Sequence, residues 1–162
     1  MRSFSLPASV FADQMLCWYD EHRRVLPWRE SPQPYYVWVS EIMLQQTQVQ
    51  TVIPYFERLI TELPTIGDLA NVDTLQLHKL WEGLGYYSRV DHLREAARVL
   101  VENNNGLLPE TYNELQALPG IGPYTAGAIA SIAFGERIAA VDGNVLRILS
   151  RVTAYDLSLI HI

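Results

Sequence analysis

The sequence predicts an all-α fold, and three observations support this prediction. Apolar residues recur at helical spacing, as in Phe11, Met15, Trp18 and Tyr19. Prolines and glycines interrupt the chain at short intervals, as expected for short helices joined by tight loops. No segment of convincing length alternates apolar and polar residues, and the apolar stretch 138–141 has no second strand to pair with.

The predicted helices are separated by residues that stop helices. Prolines 27, 32 and 34 predict an extended loop that holds Trp28 and Arg29. Pro54 ends the next helix, and Asp73 or Thr74 caps a later one. In chain order, we expect helices at residues 11–24, 36–53, 55–62, 66–70, 74–82, 88–102, 112–117, 124–134 and 143–152.

Composition limits the class of protein. The 162 residues are 49% hydrophobic and 19% charged, which fits one soluble domain with a cytoplasmic or nucleoid-associated location. No apolar run is long enough to span a bilayer, and the N-terminus lacks the order of a secretory signal. Cys17 is the only cysteine, which excludes an internal disulfide and a Cys-rich metal site. The net charge of −6 argues against a simple nucleic-acid binder, although the arginines are clustered.

A glycine hairpin is the most informative motif. Residues 118–127 read Leu-Pro-Gly-Ile-Gly-Pro-Tyr-Thr-Ala-Gly, and Val141-Asp142-Gly143-Asn144 follows on the next element. A Gly-x-Gly turn that opens a helix can present several backbone N–H groups to one anion, here a nucleic-acid phosphate. The carboxylate of Asp142 would then be available to act chemically on the molecule that carries this phosphate. The alternative is that Asp142 caps its helix, and the two roles are compatible.

Glu41 is a second candidate for chemistry. It lies in the apolar run Val37-Trp38-Val39-Ser40-Glu41-Ile42-Met43-Leu44. A carboxyl group buried in such a helix has a raised pKa and suits a general acid. The alternative is a surface residue on an amphipathic helix.

Two polar or aromatic turns are candidates for base contacts. Residues 45–48 are Gln-Gln-Thr-Gln, and amides can bond base edges or fill the gap left by a displaced base. Residues 83–87 place Tyr86 and Tyr87 on a glycine turn, where an exposed ring could wedge between bases. The alternative for residues 45–48 is a solvated polar face, and the alternative for the two tyrosines is packing in the core.

Trp28 and Arg29 suggest the wall of a pocket, and the alternative is a loop anchored by a buried tryptophan. The four histidines show no metal-ligand spacing.

These motifs resemble the helix-hairpin-helix base-excision DNA glycosylases. The stretches 40–49 (Ser-Glu-Ile-Met-Leu-Gln-Gln-Thr-Gln-Val) and 83–88 (Gly-Leu-Gly-Tyr-Tyr-Ser) narrow the resemblance to the MutY-type adenine DNA glycosylases. It implies a six-helix, barrel-like glycosylase core at 25–156 that is truncated at its C-terminal side. Residues 1–24 would be the N-terminal helix of an incomplete second domain, on the side of a metal cluster. Residues 157–162 depart from the family pattern and are interpreted as a non-native tail.

The resemblance also implies roles for individual residues. Glu41 would protonate adenine, Asp142 would stabilise the oxocarbenium sugar, and Asn144 would orient that centre. Tyr124 occupies the position of the catalytic lysine of bifunctional relatives, which implies a monofunctional enzyme. The residues expected to line the adenine pocket are Arg24, Leu26, Trp28 and Arg29. Those expected to contact DNA are Gln45, Gln46, Thr47, Tyr86, Leu118, Gly120, Ile121, Gly122 and Thr125.

The implied partner is double-stranded DNA containing adenine opposite 8-oxoguanine or guanine, bound by a monomer with no membrane association. A monovalent cation at the carbonyls of residues 118–122 is expected. The family also carries a 4Fe-4S cluster, whose four cysteine ligands are absent from this chain, and a domain that recognises 8-oxoguanine. Two other interpretations stay open: a non-catalytic DNA-binding fragment, and a bifunctional glycosylase/lyase similar to endonuclease III.

Overall fold

A computed structural model describes residues 7–153, and within this range the chain forms ten helices and no strand. The all-α prediction is therefore confirmed. The helices are α1 (Ala8–His22), α2 (Pro27–Glu30), α3 (Pro34–Leu44), α4 (Val49–Glu62), α5 (Ile66–Asn71), α6 (Thr74–Trp81), α7 (Ser88–Asn103), α8 (Tyr112–Gln116), α9 (Pro123–Phe134) and α10 (Gly143–Thr153). None of these helices is long and apolar enough to cross a membrane. The residues interpreted as a tail, 157–162, lie outside the described range.

The chain divides into two compact units. Residues 26–140 form one unit, which contains α2 to α9 and the buried hydrophobic core. The other unit combines the N-terminal segment up to Val25 with the segment that starts at Val141. Its helices, α1 and α10, contain no buried residue. The assignment of residues 1–24 and 25–156 to separate domains stays a prediction.

Helix α3 is the centre of the larger unit. Trp38, Val39 and Met43 are completely buried, and α3 packs against α2, α4, α7 and α9. A helix that is apolar on most sides avoids water only by being surrounded in this way. The polar side chains of Ser40 and Glu41 on α3 are therefore carried into the protein interior.

The structure corrects the predicted helix at 36–53. Helix α3 ends at Leu44, and α4 begins at Val49 and continues through Pro54. Pro54 has no N–H, so the carbonyl of Gln50, four residues earlier, loses its helical hydrogen-bond partner. The helix tolerates this loss because both residues are exposed to solvent, where water can bond that carbonyl. The predicted stop at Pro54 was wrong, and the real break is the Gln-Gln-Thr-Gln turn.

One further expectation about local structure is corrected, and two others agree with the structure. The predicted extended loop after residue 27 contains the single-turn helix α2, since a proline at the first helical position has the right φ. Residues 138–141 form no strand, in agreement with the expectation that this apolar stretch has no second strand to pair with among the described residues. The cap of α6 is Asp73, whose carboxylate accepts from the N–H groups of Leu75 and Gln76.

Candidate active site

Glu41 is the buried carboxyl of the larger unit. Its side chain on α3 is only 9% exposed, so the interpretation as a surface residue was wrong. Burial raises the pKa of Glu41, and this effect outweighs two opposing ones, the charge of Arg29 and a hydrogen bond from the Tyr124 side chain. A carboxyl group with a raised pKa keeps its proton closer to neutral pH, as a general acid requires.

The neighbours of Glu41 come from two other helices. Arg29 lies in α2, and Tyr124 lies in the first turn of α9. Because α2 and α9 both pack against α3, the fold brings these predicted residues together around one carboxyl group. Tyr124 is 39% exposed, so this side of the Glu41 site reaches solvent.

The four residues expected to line the adenine pocket differ in burial. Leu26 and Trp28 are buried, and the Trp28 ring packs edge-on against Phe56 with centroids 5.1 Å apart. Trp28 therefore anchors its segment in the core, as the alternative interpretation held. Arg29 is exposed, as is Arg24, which belongs to the other unit. Their contact with adenine stays a prediction.

Asp142 caps helix α10. Its carboxylate accepts from the backbone N–H of Asn144 at 3.0 Å and of Val145 at 2.8 Å. The Asn144 side-chain amide donates to the second carboxylate oxygen at 2.9 Å. The capping interpretation is thus confirmed, and three donors fix the orientation of this carboxylate. A role for the Asp142–Asn144 pair at the sugar stays a prediction.

The glycine hairpin joins α8 to α9. Gly120 has φ +73°, and a Cβ built there would lie 2.7 Å from the Cβ of His92 on α7, so the turn requires glycine. The N-cap of α9 is Gly122, which has no side chain to bond the first-turn N–H groups. The backbone N–H groups of Tyr124 and Thr125 therefore form a suitable anion site.

Several predicted DNA contacts can be made only by backbone atoms. The side chains of Leu118, Ile121 and Thr125 are buried. Gln45 is half-buried, and its amide nitrogen lies 3.5 Å from the hydroxyl of Thr125. The monovalent cation at the hairpin carbonyls stays a prediction.

Gln46 and Tyr86 share a strained backbone conformation. Both are exposed, and their φ values are +56° and +49°, in the left-handed region that side chains disfavour. Such strain is concentrated at functional sites.

Sequence reasoning missed Arg89, a buried residue of α7 that hydrogen-bonds both turns. The only sequence signal was an arginine two residues after the Tyr-Tyr pair.

The residues present do not fit an iron–sulfur cluster. Such a cluster takes four cysteine thiolates, and the sequence contains only Cys17, which is exposed on α1. Between residues 7 and 153, no group of three or more His, Cys, Asp or Glu side chains could hold a metal ion. No chemical step is therefore assigned to a cluster.

Comparison of the sequence with those of known proteins identifies relatives of this chain. The profile of the HhH-GPD superfamily of base excision DNA repair proteins matches residues 39–158. The chain is 50% identical over 155 residues to the adenine DNA glycosylase of Homo sapiens, covering 90% of this chain and 28% of that protein. It is 45% identical over 143 residues to the adenine DNA glycosylase of Buchnera aphidicola, covering 88% of this chain and 41% of that one.

Solved structures resemble the fold as well. A thermostable thymine-DNA glycosylase has a TM-score of 0.83 at 29% identity, covering 88% of this chain and 66% of that chain. Endonuclease III in a non-covalent DNA complex has a TM-score of 0.76 at 26% identity, covering 86% of this chain and 64% of that one.

Proposed function

Because the chain belongs to the HhH-GPD superfamily of base excision DNA repair proteins, we propose that it is the catalytic core of an adenine DNA glycosylase. Its substrate would be adenine paired with 8-oxoguanine or guanine in double-stranded DNA. The similarity to adenine DNA glycosylases over most of the chain supports this choice. The observation that carries it is the buried carboxyl of Glu41, with its raised pKa, beside Tyr124 and Arg29.

Glu41 supplies the proton that makes adenine a leaving group. Its carboxyl donates the proton to a ring nitrogen, and the electrons of the glycosidic bond move onto the base as that bond breaks. Positive charge then develops on the sugar, where the carboxylate of Asp142 stabilises it. Water adds to the anomeric carbon and gives its proton to a carboxylate. The products are neutral adenine and an abasic site.

The DNA must be bent and the base extruded before Glu41 can reach it. The first-turn N–H groups of α9 would hold a backbone phosphate without reading sequence. The exposed side chains of Gln46 and Tyr86 would enter the duplex beside the mispair and offset the lost stacking. A chromosomal substrate implies a location where the protein has access to DNA.

Tyr124 favours a monofunctional enzyme. A lyase step needs an amine that forms a Schiff base with the sugar. The only lysine of the sequence, Lys79, is exposed on α6, whereas the residue beside Glu41 is a tyrosine. Borohydride should therefore trap little protein–DNA adduct, and trapping in good yield would favour the bifunctional alternative.

The test is adenine release from an adenine–8-oxoguanine duplex under single-turnover conditions. The protein should be made from its complete reading frame, since this chain spans under half of the relatives it matches. Glu41→Gln should slow release by about 10²–10⁴-fold. Glu57→Gln, an exposed glutamate on α4, is the matched control and should leave the rate unchanged.

Asp142→Asn is tested in the same assay against a second helix cap. Asp73→Asn changes the α6 cap in the same way and should leave the rate unchanged, while Asp142→Asn should abolish release and retain duplex binding. Salt-sensitive duplex binding without release by the parent would instead support the non-catalytic alternative.

A further inference from the structure

Arg89 links two segments that are distant in sequence. Its Nη1 donates to the carbonyl oxygens of Ile42 at 3.1 Å, Met43 at 3.0 Å and Gln45 at 2.5 Å. Its Nη2 donates to the carbonyl oxygens of Leu84 and Gly85, both at 3.2 Å. One guanidinium therefore satisfies the C-terminal carbonyls of α3 and the glycine turn before α7.

Two of these acceptors directly precede the strained residues. The Gln45 carbonyl belongs to the peptide whose nitrogen is that of Gln46, and the Gly85 carbonyl belongs to the peptide whose nitrogen is that of Tyr86. The angle φ describes rotation about the bond from that nitrogen to Cα. Anchoring both peptide planes therefore helps to hold Gln46 and Tyr86 at positive φ, a conformation that neither residue type prefers.

Only arginine has the geometry for this arrangement. The two Nη groups of a guanidinium present four donors in a rigid planar fork, while a lysine ammonium presents three from one atom. Only these two groups are used here, because the buried Nε of Arg89 has no hydrogen-bond partner among the described residues. The Arg89 guanidinium also lies 5.4 Å from the centroid of the Trp81 ring and 5.5 Å from that of Tyr86. Trp81 Nε1 adds a further hydrogen bond to the Gly85 carbonyl at 3.0 Å.

We propose that Arg89 is a positioning residue that holds the Gln46 turn (residues 45–47) and the Tyr86 turn (residues 84–86) together as one DNA-inserting unit. The proposal rests on the proposed function, in which both side chains enter the duplex. Arg89 itself is buried and acts through the two turns. Its loss should therefore impair extrusion of the base and spare the chemistry that follows.

The test compares two substrates for each variant. One is adenine opposite 8-oxoguanine, and the other is adenine opposite an abasic-site analogue, where the base is already unpaired. Arg89→Lys should slow single-turnover release from the first by about tenfold, equivalent to about 1.4 kcal/mol. Release from the second should change far less. The ratio of the two rates does not depend on the fraction of folded protein.

Arg98→Lys is the matched control, since Arg98 is also on α7 and donates to a backbone carbonyl, that of Ala70, at 3.1 Å. It should leave both rates unchanged. Equal losses on both substrates, or equal behaviour of Arg89→Lys and Arg98→Lys, would overturn the proposal.

A second measurement separates this proposal from the proposed function. 2-Aminopurine in place of the mispaired adenine should become more fluorescent when the parent protein unstacks it, and Arg89→Lys should lose most of that increase. This signal does not require base release. If the parent gives the signal, Arg89→Lys loses it and the parent releases no adenine, the proposed function fails and the role of Arg89 stands. If the parent gives no signal, base extrusion through these turns is overturned, and the role of Arg89 with it.

Discussion

The Tyr124 side chain hydrogen-bonds the buried carboxyl of Glu41, so the helix that follows the glycine hairpin contributes a group that lowers the pKa of this carboxyl against the larger effect of burial. Tyr124 immediately follows Pro123, the first residue of α9, and its backbone N–H belongs to the proposed phosphate site. The element that would hold the DNA backbone thus carries a side chain that lowers the pKa of the proposed proton donor.

Tyr124→Phe should shift the pH dependence of adenine release. The Tyr124 hydrogen bond lowers the pKa of Glu41, so its removal raises that pKa further. The rate requires the protonated acid and falls as the pH rises through its pKa. The falling limb of the pH–rate profile should therefore move to higher pH in Tyr124→Phe.

Tyr35→Phe is the control for this shift. The Tyr35 hydroxyl is buried and donates to the Leu63 carbonyl at 2.9 Å, so its removal should cost about 1 kcal/mol of stability. It should leave the falling limb in place. An unmoved limb in Tyr124→Phe would mean that the hydrogen bond does not act on the reacting acid.

Glu41→Gln should stabilise the fold in a pH-dependent way. The folded-state pKa of Glu41 is raised, so its favourable contribution is complete below the unfolded-state pKa and is lost as the pH rises through the folded-state pKa. Glutamine is neutral throughout. The free energy of unfolding of Glu41→Gln should therefore exceed that of the parent by an amount that grows between the unfolded-state and folded-state pKa values of Glu41. Above the folded-state pKa this difference should level off at roughly 1 kcal/mol. Urea unfolding from pH 4 to 8 measures it, and a gain that shrinks as the pH rises would contradict the burial of a carboxylate.

The two hairpin glycines should respond differently to alanine. Gly120→Ala places a Cβ 2.7 Å from His92 at a φ of +73° and should cost about 1–2 kcal/mol or more. Gly122 has no atom within 4 Å of an added Cβ and a negative φ, so Gly122→Ala should cost only a few tenths of a kcal/mol. Thermal unfolding and duplex affinity check both. His92→Ala should not rescue Gly120→Ala, because the clashing atom is a Cβ that alanine retains.

Gln46→Gly should increase the stability of the fold and decrease the rate of adenine release. It relieves a positive φ and should stabilise the fold by about 1 kcal/mol, while it removes a side chain that would enter the duplex. Asn105→Gly is the control, since Asn105 has φ +53° and is exposed after α7. It should stabilise less, because asparagine tolerates this region better, and should not change adenine release. Equal release by Gln46→Gly and its parent would argue against insertion of Gln46.

The sequence predicts most of the helices because their ends carry local signals, such as Asp73 and the glycines that follow α6. The predicted helix end at Pro54 is wrong, because whether a helix continues through a proline depends on the solvent exposure of that proline, which only the packed structure determines. The motifs also led to Glu41, the hairpin and the two turns. Whether Glu41 was buried could not be decided locally, because α3 is covered by other helices.

The hydrogen-bond partners of Arg89 could not be found from the sequence. Its acceptors are backbone carbonyls more than forty residues away along the chain for α3 and only four or five away for the glycine turn. Backbone carbonyls have no residue signature, so nothing in the sequence marks them as partners. The same holds for the contact between Gly120 and His92.

The central claim is that Glu41 is the proton donor for adenine release, and the most direct test is the pH dependence of the single-turnover rate in the parent and in Glu41→Gln. The parent rate should fall as the pH rises through a pKa above the usual range of glutamate. Glu41→Gln should be slow at every pH and should lack that falling limb, while it binds the duplex as the parent does. A Glu41→Gln variant that retains the parent's limb, or its rate, would contradict the account.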